Sequence, residues 1–319
     1  MIRFFLTFVC LIGFMVPSAY AELPSLRVGV LKFGTVNWEL QTIKAYGLDE
    51  KAGFKLDVVP FAGKQATATA LHGGAVDAIV NDWIWVSRQR SAGQDYSFMP
   101  YSRIVGGLVA RSDRKIETLA DLKGKKLGIA GGPVDKNWLL FQAVAKKRFD
   151  LDLAQSTKIF FGAPPLLAKK MEMGELDGVV NFWHYVAKLE AKGHNVLISS
   201  KDAMAELGMI ADVPMLGYVF AQKTDLMAAF SKASRVAKNL LAKDDAAWTK
   251  IRPMMKVADE KTFQALKTGF INGIPTAWGN VEREAAAKLF DVLADLGGEK
   301  LVGKGKTLSP DTFAETIRY

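Results

Sequence analysis

The sequence has almost no cysteine, and this absence excludes several kinds of site. The one cysteine of the 319 residues is Cys10, which lies inside an N-terminal apolar run. It lacks the preceding small residues that a lipoprotein cleavage site requires. Once that run is removed, the chain has no disulfide, no thiolate metal site and no cysteine nucleophile. We therefore expect a fold held together by its hydrophobic core, for which about 300 residues are ample.

Histidine and catalytic motifs are also scarce. The sequence has three histidines, and it shows no His-x-x-x-His pair, no G-x-S-x-G turn and no serine–histidine–aspartate order. We therefore expect a protein that is not an enzyme and carries no cofactor. Glu39, Asp82 and Asp135 are too few oxygen ligands to predict a metal site.

Long apolar runs are absent after the first 21 residues. Residues 4–16 form one apolar run behind Arg3, and small residues follow it as far as Ala21. This pattern is typical of a secretory signal peptide, and the run is too short to span a bilayer. We expect a leader at 1–21, cleaved after Ala21, and a soluble protein in the periplasm.

Basic residues exceed acidic ones, but they are not concentrated in one segment. The chain has a formal net charge of +9, which falls to +8 when the leader is removed with Arg3. The basic residues are scattered among stretches such as KKLGIA, AKKRFD and GKGK. A nucleic-acid interface needs a concentrated basic face, so we expect a solvated basic surface and no nucleic-acid partner.

Strand-like and helix-like segments alternate along most of the chain. LRVGVL at 26–31 is a near-continuous apolar stretch, typical of a strand covered on both faces. The helical spacing of NWELQTIKAYG follows it, and the alternation resumes after about residue 105. From Leu226 the spacing is helical to the end. This order predicts an α/β fold of mainly parallel sheets flanked by helices, with a helical C-terminal tail.

One strand-to-helix junction occurs twice, one hundred residues apart. GAVDAIVNDWIWVSRQRSAG aligns with GELDGVVNFWHYVAKLEAKG, so that Asn81 matches Asn181 and Trp83 matches Trp183. Two interpretations stay open. One is a duplicated α/β half, and the other is a coincidence of ordinary helix starts, because asparagine is a good N-cap.

A second pair of junctions has the same spacing. VNWELQ and KNWLLF align so that Asn37 matches Asn137 and Trp38 matches Trp138. Open α/β sheets bind ligands beyond the carboxyl ends of their strands, where helix N-termini point. Two halves that face each other would therefore form one cleft from these four junctions.

The candidate ligand-binding residues are the amides, indoles, acids and histidine of these strand ends, with a Gly-Gly turn that is a weak anion cradle. Trp85 lies two positions after Trp83, so both indoles cannot face the cleft, and some of the set belongs to the core. The full set is Asn37, Trp38, Glu39, Asn81, Asp82, Trp83, Gly131, Gly132, Asp135, Trp138, Asn181, Trp183 and His184.

Three stretches resemble the solute-binding proteins of ABC importers: DLKGKKLGIAGGPVDKNW, ALHGGAVDAIVNDW and MGELDGVVNFW. They are similar to the nitrate, sulfonate, taurine and pyrimidine-precursor branch (SsuA/NMT1-like), over about residues 25–240. The resemblance implies a type II periplasmic binding fold with two lobes, which traps a solute by hinge closure. It also implies an ABC permease and its ATPase as partners of a monomeric protein.

The resemblance implies lobe boundaries as well. Lobe I would comprise residues 22–104 plus 216–319, and lobe II residues 105–215. The chain would cross between the lobes near 105–111 and 214–222, in the stretches GGLVAR and LGYVFAQ.

The predicted cleft loops also bear on the charge of the ligand. FGTVNWE, NDWIW, GGPVDKNW and NFWHY contain one lysine and no arginine, together with Glu39, Asp82 and Asp135. A buried acid beside a bound anion is costly unless it is neutralised. The aromatic residues, acids and amides therefore favour a neutral or cationic organic ligand, with an anion such as a sulfonate as the alternative.

Two other functions stay open. A ligand-binding accessory or sensor protein that is not tied to import would have the same sequence features. A pyrimidine-synthase-like enzyme would share the fold, but the cysteine-rich iron segment that the resemblance implies for such enzymes is absent here.

Overall fold

The computed structural model describes residues 22–209, 213–221 and 225–318, so the predicted leader lies outside the described residues. Within these ranges the chain forms ten strands. In chain order they are β1 (Ser25–Leu31), β2 (Lys55–Phe61), β3 (Ala78–Asp82), β4 (Ser97–Ser102), β5 (Gly106–Ala110), β6 (Lys126–Ala130), β7 (Lys158–Gly162), β8 (Gly178–Phe182), β9 (Asn195–Ser199) and β10 (Leu216–Phe220).

The same ranges contain thirteen α-helices, most of which follow a strand directly or after a short turn. They are α1 (Val36–Ala45), α2 (Leu48–Lys51), α3 (Lys64–His72), α4 (Trp83–Ser91), α5 (Lys136–Phe149), α6 (Leu153–Ser156), α7 (Pro164–Glu172), α8 (Trp183–Ala191), α9 (Ser200–Glu206), α10 (Asp225–Lys243), α11 (Asp245–Met255), α12 (Glu260–Gly273) and α13 (Asn280–Val302).

The strands form two sheets with the same layout. The first sheet has the order β2-β1-β3-β10-β4, and the second has the order β7-β6-β8-β5-β9. In each sheet three neighbouring strands are parallel and the fourth runs antiparallel to them. The helices that connect the parallel strands cover the sheets, which is why these strands are rich in buried apolar residues. The predicted α/β fold with two mainly parallel sheets is confirmed.

An equivalent side-chain contact occurs within each sheet. Asp77 precedes β3, and its carboxylate accepts the backbone N–H of Arg27 on β1 at 2.8 Å. Asp177 precedes β8 and accepts the backbone N–H of Lys126 on β6 at 2.9 Å. Each aspartate therefore ties its strand to the parallel neighbour, which favours the duplicated-half interpretation of the sequence repeat.

Strands β5 and β10 are the antiparallel members, and each is inserted between two strands of its sheet. Both have a glycine at a point where backbones approach closely. A Cβ on Gly106 would lie 2.1 Å from the carbonyl oxygen of Asn181, and one on Gly217 would lie 2.3 Å from that of Met99. The predicted second crossing extends to Gln222, which lies outside the described residues. The lobe boundaries stay a prediction.

Strand β4 is not evident from the sequence, because SFMPYS contains Pro100. Proline cannot donate a hydrogen bond to a strand ladder and is tolerated at sheet edges. The structure places β4 at the edge of the first sheet, where it pairs with β10. This edge strand carries Tyr101 towards the space between the sheets.

The C-terminal helices contact both halves of the protein. Helices α10 and α11 pack on α1, whereas α12 packs on α8 and α13 packs on both α4 and α5. The tail therefore bridges helices that follow strands of the first sheet and helices that follow strands of the second. Across the described ranges, no helix combines the length and the apolar character needed to cross a bilayer.

Candidate functional site

A cleft lies between the two sheets, beyond the carboxyl ends of β1, β3 and β8. The empty space there is about 790 Å³ when the open solvent at its mouth is counted. Sheets of this type bind ligands beyond their strand ends. Its apolar and aromatic lining comes from both sheets and consists of Leu31, Val36, Val80, Tyr101, Val105, Phe182, Trp183, Met215 and Leu216.

Four of the predicted ligand-binding residues line this cleft, namely Asp82, Asp135, Trp183 and His184. A second cavity of about 680 Å³, again including its mouth, adjoins the cleft. Asp82 and Asp135 line both spaces, and the predicted residues Asn81 and Gly131 line the second cavity. The other predicted residues line neither space.

The predicted asparagines hold the strand-to-helix turns. The side-chain oxygen of Asn81 accepts the backbone N–H of the next residue at 2.9 Å, and that of Asn181 makes the same contact at 2.8 Å. Asn181 also donates to the carbonyl of Pro164 at 3.0 Å. The Asn37 amide donates to two backbone carbonyls before α1, at 2.9 and 2.7 Å. The repeated asparagines therefore shape the turns from which the cleft residues project.

The four predicted tryptophans have different surroundings. Trp83 is fully buried and donates from its indole nitrogen to the carbonyl of Pro214 at 3.1 Å. Trp138 is also buried, and Trp38 packs edge to face against Trp183. Trp183 is the one of the four that lines the cleft. The other three belong to the core.

The predicted glycine turn precedes α5. Gly131 and Gly132 have φ values of +99° and +88°, which L side chains rarely adopt. A Cβ on Gly131 would also lie 2.5 Å from a carboxylate oxygen of Asp135. The turn therefore brings the backbone close to Asp135, whose other oxygen accepts the N–H of Trp138 at 3.2 Å as the N-cap of α5.

Glu39 lies away from the cleft, in a buried polar cluster. Lys238 of α10 forms an ion pair with its carboxylate, and Ser234 and Tyr218 donate to it at 2.6 and 3.0 Å. Burial lowers the pKa of Lys238, although Glu39 opposes this effect. The cluster joins α1 to the C-terminal tail. It also contacts the cleft residue Tyr101, because the ammonium of Lys238 lies 5.0 Å from the centroid of its ring.

Four charged side chains line both the cleft and the second cavity: Lys64, Asp82, Asp135 and Lys136. We call them the charged quartet. Lys136 donates to Asp82 at 2.6 Å, and their side chains are 18% and 4% exposed. The ammonium of Lys64 lies 5.3 Å from the ring centroid of Phe182. Asp82 ends β3 of the first sheet, whereas Lys136 follows β6 of the second. Lys64 follows β2 of the first sheet, whereas Phe182 ends β8 of the second. Both contacts therefore join the two sheets.

Burial and charge act against each other within the charged quartet. Burial disfavours the ionised carboxyl of Asp82, but Lys136 and Lys64 outweigh it and lower its pKa. At Asp135 burial dominates over the same two lysines and raises the pKa. Burial, helped by Lys136, also lowers the pKa of Lys64. Since two acids oppose two bases, the quartet has little net charge to offer a ligand.

His184 is the second residue of α8 and is only 6% exposed. Burial lowers the pKa of its imidazole to about 3, with a smaller contribution from Lys188. The ring is therefore neutral at pH 7. Neither ring nitrogen has a hydrogen-bond partner among the described residues.

Sequence reasoning missed several cleft residues. Lys64 follows β2 after a short turn ending in Gly63, so the strand-end rule used for the other candidates also applied to it. Tyr101 could not be found in this way, because β4 was not predicted. Its hydroxyl lies 3.4 Å from that of Thr35, which precedes α1 and lines the cleft beside it.

Comparison with solved structures shows the fold. The alkanesulfonate-binding protein SsuA from Xanthomonas axonopodis pv. citri, bound to MOPS, is 18% identical with a TM-score of 0.70, over 92% of this chain and 99% of that one. The periplasmic nitrate-binding protein NrtA from Synechocystis PCC 6803 is 12% identical with a TM-score of 0.58, over 77% and 69%. The desulfurization enzyme DSZB is 14% identical with a TM-score of 0.56, over 91% and 97%.

Comparison of sequences identifies the family. No curated protein matches the chain significantly. The NMT1/THI5-like family profile matches residues 42–247, which is more than half of the chain and includes three of the four repeated junctions in full. The predicted membership of the SsuA/NMT1-like branch is thereby confirmed. The chain belongs to the NMT1/THI5-like family.

Proposed function

We propose that this protein is the substrate-binding component of an ABC importer, which captures a small organic solute in the cleft and delivers it to a membrane permease and its ATPase. The cleft carries this proposal. It is lined from both sheets and contains His184, a buried polar side chain without a partner among the described residues. A buried, unsatisfied polar group in an enclosed space is where a ligand gains affinity.

Capture would occur by closure of two lobes, residues 22–104 plus 216–319 and residues 105–215. The crossings near 105–111 and 214–222 would act as the hinge. With these boundaries, the ion pair of Lys136 with Asp82 would span the lobes, as would the contact of Lys64 with Phe182. Both contacts would form on closure and favour the closed state.

The chain would reach the periplasm through a leader at 1–21 that is cleaved after Ala21, and it would act as a monomer. Fractionation of cells that express the full-length protein tests this step. The periplasmic form should begin at Glu22 by N-terminal mass spectrometry, and size-exclusion chromatography with light scattering should give one chain. A cytoplasmic protein that retains residue 1 would contradict the export proposal.

The proposed ligand-binding residues are the four that line the cleft. Trp183 would supply a flat apolar face and His184 hydrogen bonds. Asp82 and Asp135 would oppose the charges of Lys64 and Lys136 within the charged quartet. The apolar lining and the two buried acids favour a neutral or cationic organic ligand over a small anion such as a sulfonate.

A thermal-shift screen of the purified protein against a library of small solutes tests the binding role. A solute at about one hundred times its Kd should add about 2.7 kcal/mol to the free energy of unfolding. Trp183→Ala should lose this gain. Phe160→Ala removes a ring that is 45% exposed and lies outside the cleft, so it should keep the gain. If no library member stabilises the wild type, the proposal fails.

A further inference from the structure

His184 lies among aromatic rings at the wall of the cleft. Its ring centroid lies 4.3 Å from that of Tyr185, 5.8 Å from that of Trp183 and 6.4 Å from that of Phe182. These contacts restrict the rotation of the imidazole ring.

The hydrogen-bonding capacity of His184 is unused among the described residues. Both nitrogens are buried, and neither has a partner there. A neutral imidazole has one N–H donor and one acceptor nitrogen, and the two can exchange roles between tautomers. Buried polar groups of this kind are costly unless something pairs with them. Because His184 lines the cleft, a solute bound there is a candidate for this partner.

The charges near the cleft argue for an uncharged solute. The lysines of the charged quartet, Lys64 and Lys136, are opposed by Asp82 and Asp135, and the lining contains no arginine among the described residues. A buried anion would face the two acids, and a buried cation would face the two lysines.

We propose that His184 is the residue that selects the ligand, and that it recognises an uncharged planar solute carrying both a hydrogen-bond donor and an acceptor, of the carboxamide type. This inference rests on the proposed binding function. It separates the protein from a binder of sulfonates or nitrate, because His184 offers hydrogen bonds but no charge. A ring on the solute would pack against Trp183 and the apolar lining.

Isothermal titration with matched probes tests the ligand class. Benzamide and nicotinamide carry the carboxamide, N,N-dimethylbenzamide lacks the donor, and benzenesulfonate and benzamidinium carry a negative and a positive charge. We expect the two carboxamides to bind at least tenfold more tightly than the other three, as for a buried group left unpaired. Equal or tighter binding of benzenesulfonate or benzamidinium would overturn the inference.

Two variants separate recognition from a merely structural role. His184→Gln keeps a donor and an acceptor, and should bind benzamide within about threefold of the wild type. His184→Leu keeps the apolar volume only and should lose at least tenfold. It should also lose the preference for benzamide over the dimethyl probe, which a packing defect would not change. His194→Gln, at a partly exposed histidine outside the cleft, is the control and should match the wild type.

The outcomes distinguish this inference from the proposed function. One outcome is that a library solute binds, that Trp183→Ala abolishes this binding and that His184→Leu leaves it unchanged. In that case the cleft binds solutes, but His184 does not select them. A library hit that carries a net charge would also show that the cleft binds solutes without selection by His184. An uncharged hit with a donor and an acceptor that His184→Leu weakens would support the inference, even if the benzamides are too weak to measure. If no solute binds the wild type, both proposals fail.

Discussion

The indole rings of Trp38 and Trp183 meet edge to face, with their centroids 6.0 Å apart and their planes at 88°. Trp38 lies on α1, which follows β1 of the first sheet, and Trp183 begins α8, which follows β8 of the second sheet. Phe270 of α12 packs on Trp38 at 5.8 Å, and its neighbour Gly269 lies against the ring of Trp183. One aromatic contact therefore joins both halves and the C-terminal tail at the wall of the cleft.

Gly269→Ala should destabilise the protein, although alanine is the better helix former. A Cβ at this position would lie 2.6 Å from the indole of Trp183. Overpacking costs about 1–3 kcal/mol, whereas alanine gains about 1 kcal/mol over glycine in a helix. Urea unfolding measures the difference. Thr268→Ala, at an exposed neighbour on α12, is the control and should be neutral or slightly stabilising. A more stable Gly269→Ala protein would show that α12 and α8 are not in close contact.

Lys136→Met should lower the free energy of unfolding by about 3 kcal/mol, because it leaves the buried carboxylate of Asp82 without its ion pair. The double variant with Asp82→Asn should recover most of this loss, since asparagine still caps α4. Lys146→Met on the same helix removes an exposed pair with Asp150 and should have little effect on stability. Urea titrations of the four proteins check this prediction. Similar values for Lys136→Met and Lys146→Met would argue against a tight contact between the sheets.

Lys238→Met should destabilise the protein by about 3–5 kcal/mol, because it leaves the buried side chain of Glu39 without its ion-pair partner. The double variant with Glu39→Gln should lose much less. Lys243→Met, at the exposed end of α10, is the control and should be near neutral. Denaturant unfolding measures all three.

Glu39→Gln also tests whether Glu39 takes part in binding. Because Glu39 does not line the cleft, this variant should keep the stabilisation that a ligand confers on the wild type. A thermal-shift titration with a library hit measures the effect. Loss of the ligand-induced shift, in a variant that is still folded, would show that Glu39 takes part in binding.

The unliganded protein should lose stability as the pH falls below about 6.5, in part through His184. Its pKa is about 3 when folded and about 6.5 when exposed. Between these values the unfolded chain binds a proton that the folded ring does not. This group alone should therefore remove about 1.4 kcal/mol per pH unit. Unfolding free energies at pH 7, 6 and 5 should fall more steeply for the wild type than for His184→Gln. Parallel pH profiles would contradict a neutral, buried His184.

Local spacing was enough to predict much of the fold. Strands such as LRVGVL and helices such as NWELQTIKAYG depend on near neighbours in sequence, and their periodicity is visible without a structure. The same holds for the repeated junctions, whose asparagines make the same local contact in both halves. Strand β4 was missed because Pro100 masks a strand that only its position at the sheet edge permits.

The candidate site was less accessible to this reasoning. Of thirteen predicted ligand-binding residues, those that line the cleft are Asp82, Asp135, Trp183 and His184. Glu39 stands beside Trp38 in the sequence, yet its carboxylate meets Lys238, 199 positions away. The pairing of Asp82 with Lys136 likewise joins residues 54 positions apart. The order of residues records which segments become helices, strands and turns, because those depend on short-range geometry. Which side chains share a cavity, and which acids are neutralised there, depends on distant segments meeting in space, and a single sequence holds no periodic signal for that.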